Sequence, residues 1–226
     1  MTITTRVFAA RPSGTSASTS TLTRTLALLM LVLAALSLSA CFKKNPIYEW
    51  SNKYTITVKT PNGTKSAVSV IGQKLLDRRN NPQFGSGHVW AMATKGEAVV
   101  LDLGRTTKGP RYLFALVSNI EYLPFNIARK ALDLPKAEYA LLAKKFGDVA
   151  WPVELKDNYP LLVTFDDIKD PASVKRVDPN DLAAIFGAGY RLVSITLEIT
   201  NEPVTEGKVE SVLGWLEPIA ETTALG

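Results

Sequence analysis

Lys53 to Thr60, Lys-Tyr-Thr-Ile-Thr-Val-Lys-Thr, alternates apolar and polar residues, with Tyr54, Ile56 and Val58 at one parity and Thr55, Thr57 and Lys59 at the other. An extended chain sends successive side chains to opposite faces, so this stretch reads as a strand with one buried face. Pro61-Asn62-Gly63 follows. Asn-Gly tolerates positive φ and marks a tight hairpin. The return strand spans Lys65 to about Leu76, and the expected register pairs Tyr54–Thr60 with Lys65–Ile71. A chain that opens this way is committed to an antiparallel sheet with one face toward a core.

Further along, Val99–Leu103 and Tyr112–Val117 are nearly continuous apolar runs. They read as central strands covered on both faces, joined by a long hairpin loop over Arg105–Pro110. The period then changes. Ile120–Leu134 and Pro135–Gly147 read as helical pieces; Tyr139, Leu142 and Phe146 recur at helical spacing, and Gly147 serves as a stop. Tyr159–Phe165 is a short strand. Asp178 as N-cap, Pro179 at the first helical position and Gly187 past the end define a short helix. In Arg191–Asn201, Val193, Ile195, Leu197 and Ile199 share one face. The fold class expected is α+β: an antiparallel-rich sheet with a central helical insert and a short helix in the C-terminal half. There is no internal repeat and no heptad pattern.

Cys41 is the only cysteine, and it ends an apolar run, Leu26–Ala40, of 15 residues without a charge. A membrane-spanning helix needs about 20 apolar residues. Arg6, Arg11 and Arg24 precede the run in a polar leader, and small residues close it, the order of a secretory signal. Leu38-Ser39-Ala40-Cys41 resembles the lipobox of bacterial lipoproteins. The resemblance implies a diacylglycerol on the Cys41 thiol, cleavage between Ala40 and Cys41, acylation of the new amino group, and anchorage to a membrane through acyl chains. It divides the chain into a cleaved signal (1–40), a lipidated tether (41–52) that becomes ordered near Tyr48 and Trp50, and one globular domain (53–226). Phe42 stands where some bacteria read Asp as an inner-membrane retention mark, which favours the outer membrane. A spanning anchor with an incidental cysteine, and a secretory signal cut elsewhere, for instance after Ala35, stay open as alternatives.

Without the three leader arginines the net charge falls from +5 to +2. That is too weak a field to argue for nucleic acid. One cysteine allows no disulfide within the chain, and a lipidated Cys41 leaves no cysteine nucleophile or metal ligand. Stability must come from the core.

Asp166, Asp167, Asp170, Asp178 and Asp181 gather within 16 residues. Ca²⁺ needs 6–8 oxygens, but the spacing is not that of an EF-hand, and Lys169, Lys175 and Arg176 interrupt the stretch. Asp170-Pro171 reads as a turn and Asp178-Pro179 as a cap. His88 is the sole histidine, near Ser86, which lies between Gly85 and Gly87. A nucleophile elbow needs G-x-S-x-G, and its second half is missing. The same loop lacks the Gly-Lys-Ser/Thr of a phosphate loop. The four tryptophans, Trp50, Trp90, Trp151 and Trp215, read as core aromatics. No catalytic, metal or cofactor residue is assigned.

The phrases Tyr54–Gly63, Gly96–Gly104, Arg111–Ser118, Tyr159–Asp167, Val177–Tyr190, Ile195–Thr205 and Val212–Glu217 are similar to an uncharacterised family of bacterial envelope and prophage-associated proteins. The resemblance implies a single exported domain and carries no activity. The expectation is a membrane-anchored lipoprotein with a non-enzymatic binding or structural role in the envelope. The alternative is an exported, lipid-anchored hydrolase or other enzyme. Convergence of His88, Ser86 and Asp166–Asp170 in one pocket would favour the enzyme.

Overall fold

The computed structural model describes residues 46–78, 90–107, 109–117, 122–134, 138–156 and 158–216. Strands β1 (Ile47–Thr60) and β2 (Gly63–Asp77) pair antiparallel along their length, with Ile47 opposite Leu76, Tyr54 opposite Ser69 and Thr60 opposite Gly63. The expected hairpin forms, with its register two residues tighter: Tyr54–Thr60 faces Gly63–Ser69, because pairing begins at Gly63 itself. A shift of two keeps every side chain on its expected face. The hairpin also runs further than the strict alternation marked: residues 47–52, assigned from the sequence to a tether, are already strand. Tyr48 and Trp50 continue the inward face, and that burial extends the pairing to Ile47. In the turn, Pro61 and Asn62 are the two central residues, and the positive φ falls on Gly63 (115°). Proline presets the first central residue, and glycine takes the conformation that a side chain would resist. Thr60 Oγ1 donates to the Gly63 carbonyl (2.8 Å) and accepts from the Asn62 N–H (3.2 Å).

The architecture is mostly antiparallel β. The sequence leads to one sheet, whereas the chain builds two. The first has the order β3–β2–β1–β9–β6, with β3 (Trp90–Lys95), β9 (Arg191–Thr200) and β6 (Val153–Glu154). The second has the order β4–β5–β7–β8, with β4 (Val99–Thr106), β5 (Gly109–Leu116), β7 (Leu161–Phe165) and β8 (Val174–Val177). The corner between them is Gly96, at φ 130°. A Cβ there would lie 2.9 Å from Ile71 Cδ1 and 3.1 Å from the Val70 carbonyl oxygen. The corner thus presses onto β2, and β4 leaves it to start the second sheet.

This split corrects the place of β4. Val99, Leu101 and Leu103 are buried but Asp102 is exposed, and β4 is an edge of its sheet. Of the two strands expected to be central, β5 alone is: Leu113, Phe114 and Ala115 are buried in succession because both faces are covered. Between the sheets, Tyr54, Ile56, Val58, Ile71, Ile195 and Leu197 meet Val99, Leu101, Leu113 and Leu162. Each such side chain contributes roughly 1.5–3 kcal/mol by leaving water. The outer face of the second sheet is closed by Leu213 and Trp215, which follow helix α4 (Lys208–Val212) and pack around Phe114 and Val163.

Helices α1 (Leu123–Ala131) and α2 (Tyr139–Lys144) lie between β5 and β6 in the chain, as the change of period indicated. They cover the far end of the first sheet's inward face, where Phe125, Ala128, Leu142 and Phe146 pack with Tyr48, Trp50, Leu75 and Ile199. Gly147 does not stop α2; it sits inside a 3₁₀ turn, Phe146–Asp148. Helix α3 (Ala183–Phe186) starts later than expected. Asp181 Oδ1 accepts from the Ala184 N–H (3.1 Å), while Asp178 turns the chain through the Asn180 N–H (2.8 Å). In β9, Val193 leaves the inward face. A bulge opposite Thr57 and Val58 turns it outward, and Leu192 packs on the core in its place.

Gly96→Ala should destabilise the domain by roughly 2–4 kcal/mol, because it combines a strained φ with a backbone collision. Chemical denaturation measures this. A change below the experimental error would show that the corner has room to relax.

Candidate functional site

A groove of about 930 Å³ opens between α1 and the edge strand β6. The helix side brings Leu123 and Ile127, and the chain through β6 brings Val153 and Leu155. Leu123 and Leu155 belong to the buried inter-sheet core, so the floor is apolar. Ile127 touches both that core and the aromatic cluster beneath the helices. Arg129, Lys130 and Lys156 on the rim stand with Asp133 and Glu154. β6 is the last strand of its sheet, and its inner side is held as the Leu155 N–H donates to the Ile195 carbonyl (2.8 Å). The groove therefore offers an apolar floor, a rim of both charges and a strand edge. Among the described residues its lining contains no serine, cysteine, histidine or tyrosine.

Each acid of the Asp166–Asp181 stretch has a local role. Asp166 pairs with Lys175 (2.6 Å). Asp167 Oδ1 accepts from the Lys169 N–H and Asp170 Oδ1 from the Ala172 N–H. Asp178 and Asp181 form the turn and cap described above. The turn reading of Asp170-Pro171 is what the structure contains. Among the described residues no group of three or more His, Cys, Asp or Glu is arranged to hold a metal ion. Ala40, Cys41, Ser86 and His88 lie outside the described residues, so the structure does not bear on the lipobox or on a Ser86–His88 pairing.

Two polar devices had no signal in the sequence. Arg111 on β5 donates to the Phe186 carbonyl (2.9 Å) and the Tyr190 hydroxyl (2.6 Å), with its guanidinium 4.9 Å from the Tyr190 ring centroid. It ties α3 to the second sheet. Both Glu97 carboxylate oxygens accept from backbone N–H groups of α4, at Lys208 and Val209, each 2.9 Å away. Such a contact joins residues more than 100 positions apart and leaves no local pattern. On the outer face of β1, Lys53 pairs with Glu202 and Glu198, and these hydrogen bonds, Glu202 first, raise its pKa.

Of the tryptophans, Trp50 and Trp151 pack in the aromatic cluster and Trp215 in the outer one, in keeping with the core reading. Trp50 stands edge-on to Phe125 (5.2 Å) and Phe146 (5.3 Å). The side chain of Trp90 lies outside the described residues.

Comparison with models of known protein families, with curated proteins and with solved structures finds no match.

Burial pushes the Tyr54 hydroxyl pKa well above its ordinary value of 10.0. The stability this gives is complete below about pH 10, where folded and unfolded chains both hold the proton. It is lost as the pH rises further, because the unfolded chain ionises first. Tyr54→Phe should remove that part of the alkaline decline in a pH series of melting temperatures. An unchanged slope would place the titration elsewhere.

Proposed function

We propose that this chain is a bacterial lipoprotein, cleaved before Cys41 and held on the exported side of a membrane by acyl chains on that residue, in the outer membrane where the cell has one. Its mature part is a single α+β domain with a non-enzymatic binding or structural role in the cell envelope. The observation that carries the reading is the position of the one cysteine, directly after Leu38-Ser39-Ala40 at the end of an apolar run too short to span comfortably. Two or three acyl chains give stable anchorage where one gives only marginal binding.

Other features support the reading. Five residues, Phe42 to Pro46, separate Cys41 from β1, so the domain would be held close to the bilayer. The charge of +2 after cleavage leaves acylation rather than a basic patch as the source of membrane affinity. A binding or structural role is favoured over catalysis by the groove at α1 and β6, which pairs an apolar floor with a mixed rim and has, among the described residues, no hydroxyl or thiol nucleophile in its lining. The acids of the Asp166–Asp181 stretch are engaged in turns, caps and an ion pair.

Metabolic labelling tests the anchor. The wild type should take up radioactive palmitate, migrate at the shorter length and fractionate with membranes. Cys41→Ala should take up none and stay at precursor length. Equal labelling and mobility of the two proteins would contradict the reading.

A further inference from the structure

The inward face of the first sheet carries three polar side chains between its two apolar cores. Asn52 on β1 is fully buried, and neither its Nδ2 nor its Oδ1 has a hydrogen-bond partner in the protein. Gln73 on β2 is 3 % exposed, and its Oε1 is also unpartnered. Trp50 stands directly opposite Gln73 in the ladder, and its indole Nε1 is unpartnered as well. Asn52 follows Trp50 by two positions on the same face, so the three residues are neighbours on one side of the sheet. They stand at a seam. Tyr54 and Ile71 on one side belong to the core between the sheets; Trp50 and Leu75 on the other belong to the cluster under the helices.

Buried polar groups in folded proteins are almost always hydrogen-bonded, because leaving one unmet forfeits its hydration without return. Here the unmet set is balanced. The Trp50 indole and the Asn52 amide nitrogen donate; the Asn52 and Gln73 amide oxygens accept. All three side chains are uncharged. An anion would satisfy only the donors and a cation only the acceptors. A neutral molecule that both donates and accepts satisfies both.

We propose that this seam is an internal hydrogen-bonding site that holds ordered water, which accepts from Trp50 Nε1 and Asn52 Nδ2 and donates to Asn52 Oδ1 and Gln73 Oε1. Water is the smallest molecule with that capacity, and a buried water makes about three such bonds. The site joins the two cores by polar contact on the face of the sheet, beside the apolar contact that Ile127 and Trp151 make with both. It depends on nothing in the lipid anchor.

The sign of one stability change tests it. Asn52→Leu keeps the approximate size of the side chain and removes both amide atoms. If water occupies the seam, the variant strips it of two partners and leaves Trp50 and Gln73 unmet, so the melting temperature should fall by several degrees. If the amide is merely orphaned, its removal should raise the melting temperature, and that result overturns the proposal. Gln73→Met should act in the same direction as Asn52→Leu, and the double variant should lose less than the sum of the two. Should Asn52→Leu not fold, the wild type still decides: rotating-frame NMR should show cross-relaxation between long-lived water and the Trp50 indole N–H and Asn52 side-chain amide protons. Absence of these cross-peaks, or electron density at the seam larger than water, would refute it.

Discussion

The inward face of β1 needs more cover than any one element of this chain supplies. It presents Tyr48, Trp50, Asn52, Tyr54, Ile56, Val58 and Thr60 along a single 14-residue strand. A stripe of that length outruns the width of a small sheet. Two covers share it. The second sheet takes Tyr54 to Val58, and α1 and α2 take Tyr48 and Trp50. Much of the rest follows. Gly96 must turn sharply so that β4 can begin the covering sheet, the insert after β5 must be helical to reach the other end, and the polar seam falls where the two covers meet. With one cysteine and no intrachain disulfide, this shared face bears the stability of the domain.

What could be read from the sequence was local. Alternation set the faces of β1 and most of β9, and helical spacing placed Tyr139, Leu142 and Phe146 in one cluster. What could not be read depended on contacts between distant segments. The second sheet follows from Gly96 lying against Val70 and Ile71, a contact that is invisible in a one-dimensional pattern. The Val193 bulge arises because β9 must shift register against Thr57 and Val58. The first six residues of β1 looked like a tether because Glu49, Ser51 and Asn52 dilute the apolar signal, although Tyr48 and Trp50 keep the parity. At α3 the cap was one acid further on than Asp178-Pro179 suggested, since Asp178 closes its own turn first. The groove needed the fold, because α1 and β6 become neighbours only when the sheet is assembled.

Function stands on separate ground from the fold. The anchor reading rests on a single thiol and the residues before it, and the binding reading on a groove walled by the helical cover of β1 and by β6 at the edge of the first sheet. Among the described residues no helix is long and apolar enough to cross a membrane. On this reading the lipid decides where the domain resides, and the shared face decides what surface it presents there.

If both covers act on one strand pair, the domain opens as one unit. Native-state amide exchange measures this directly. In the wild type, β1 amides at the Trp50 end and the Val58 end should report the same opening free energy. Phe125→Ala, made only in the helical cover, should lower that value by roughly 3–5 kcal/mol at both ends. A loss confined to the Trp50 end, with Ile56 and Val58 still protected as in the wild type, would show two independent cores and contradict the account.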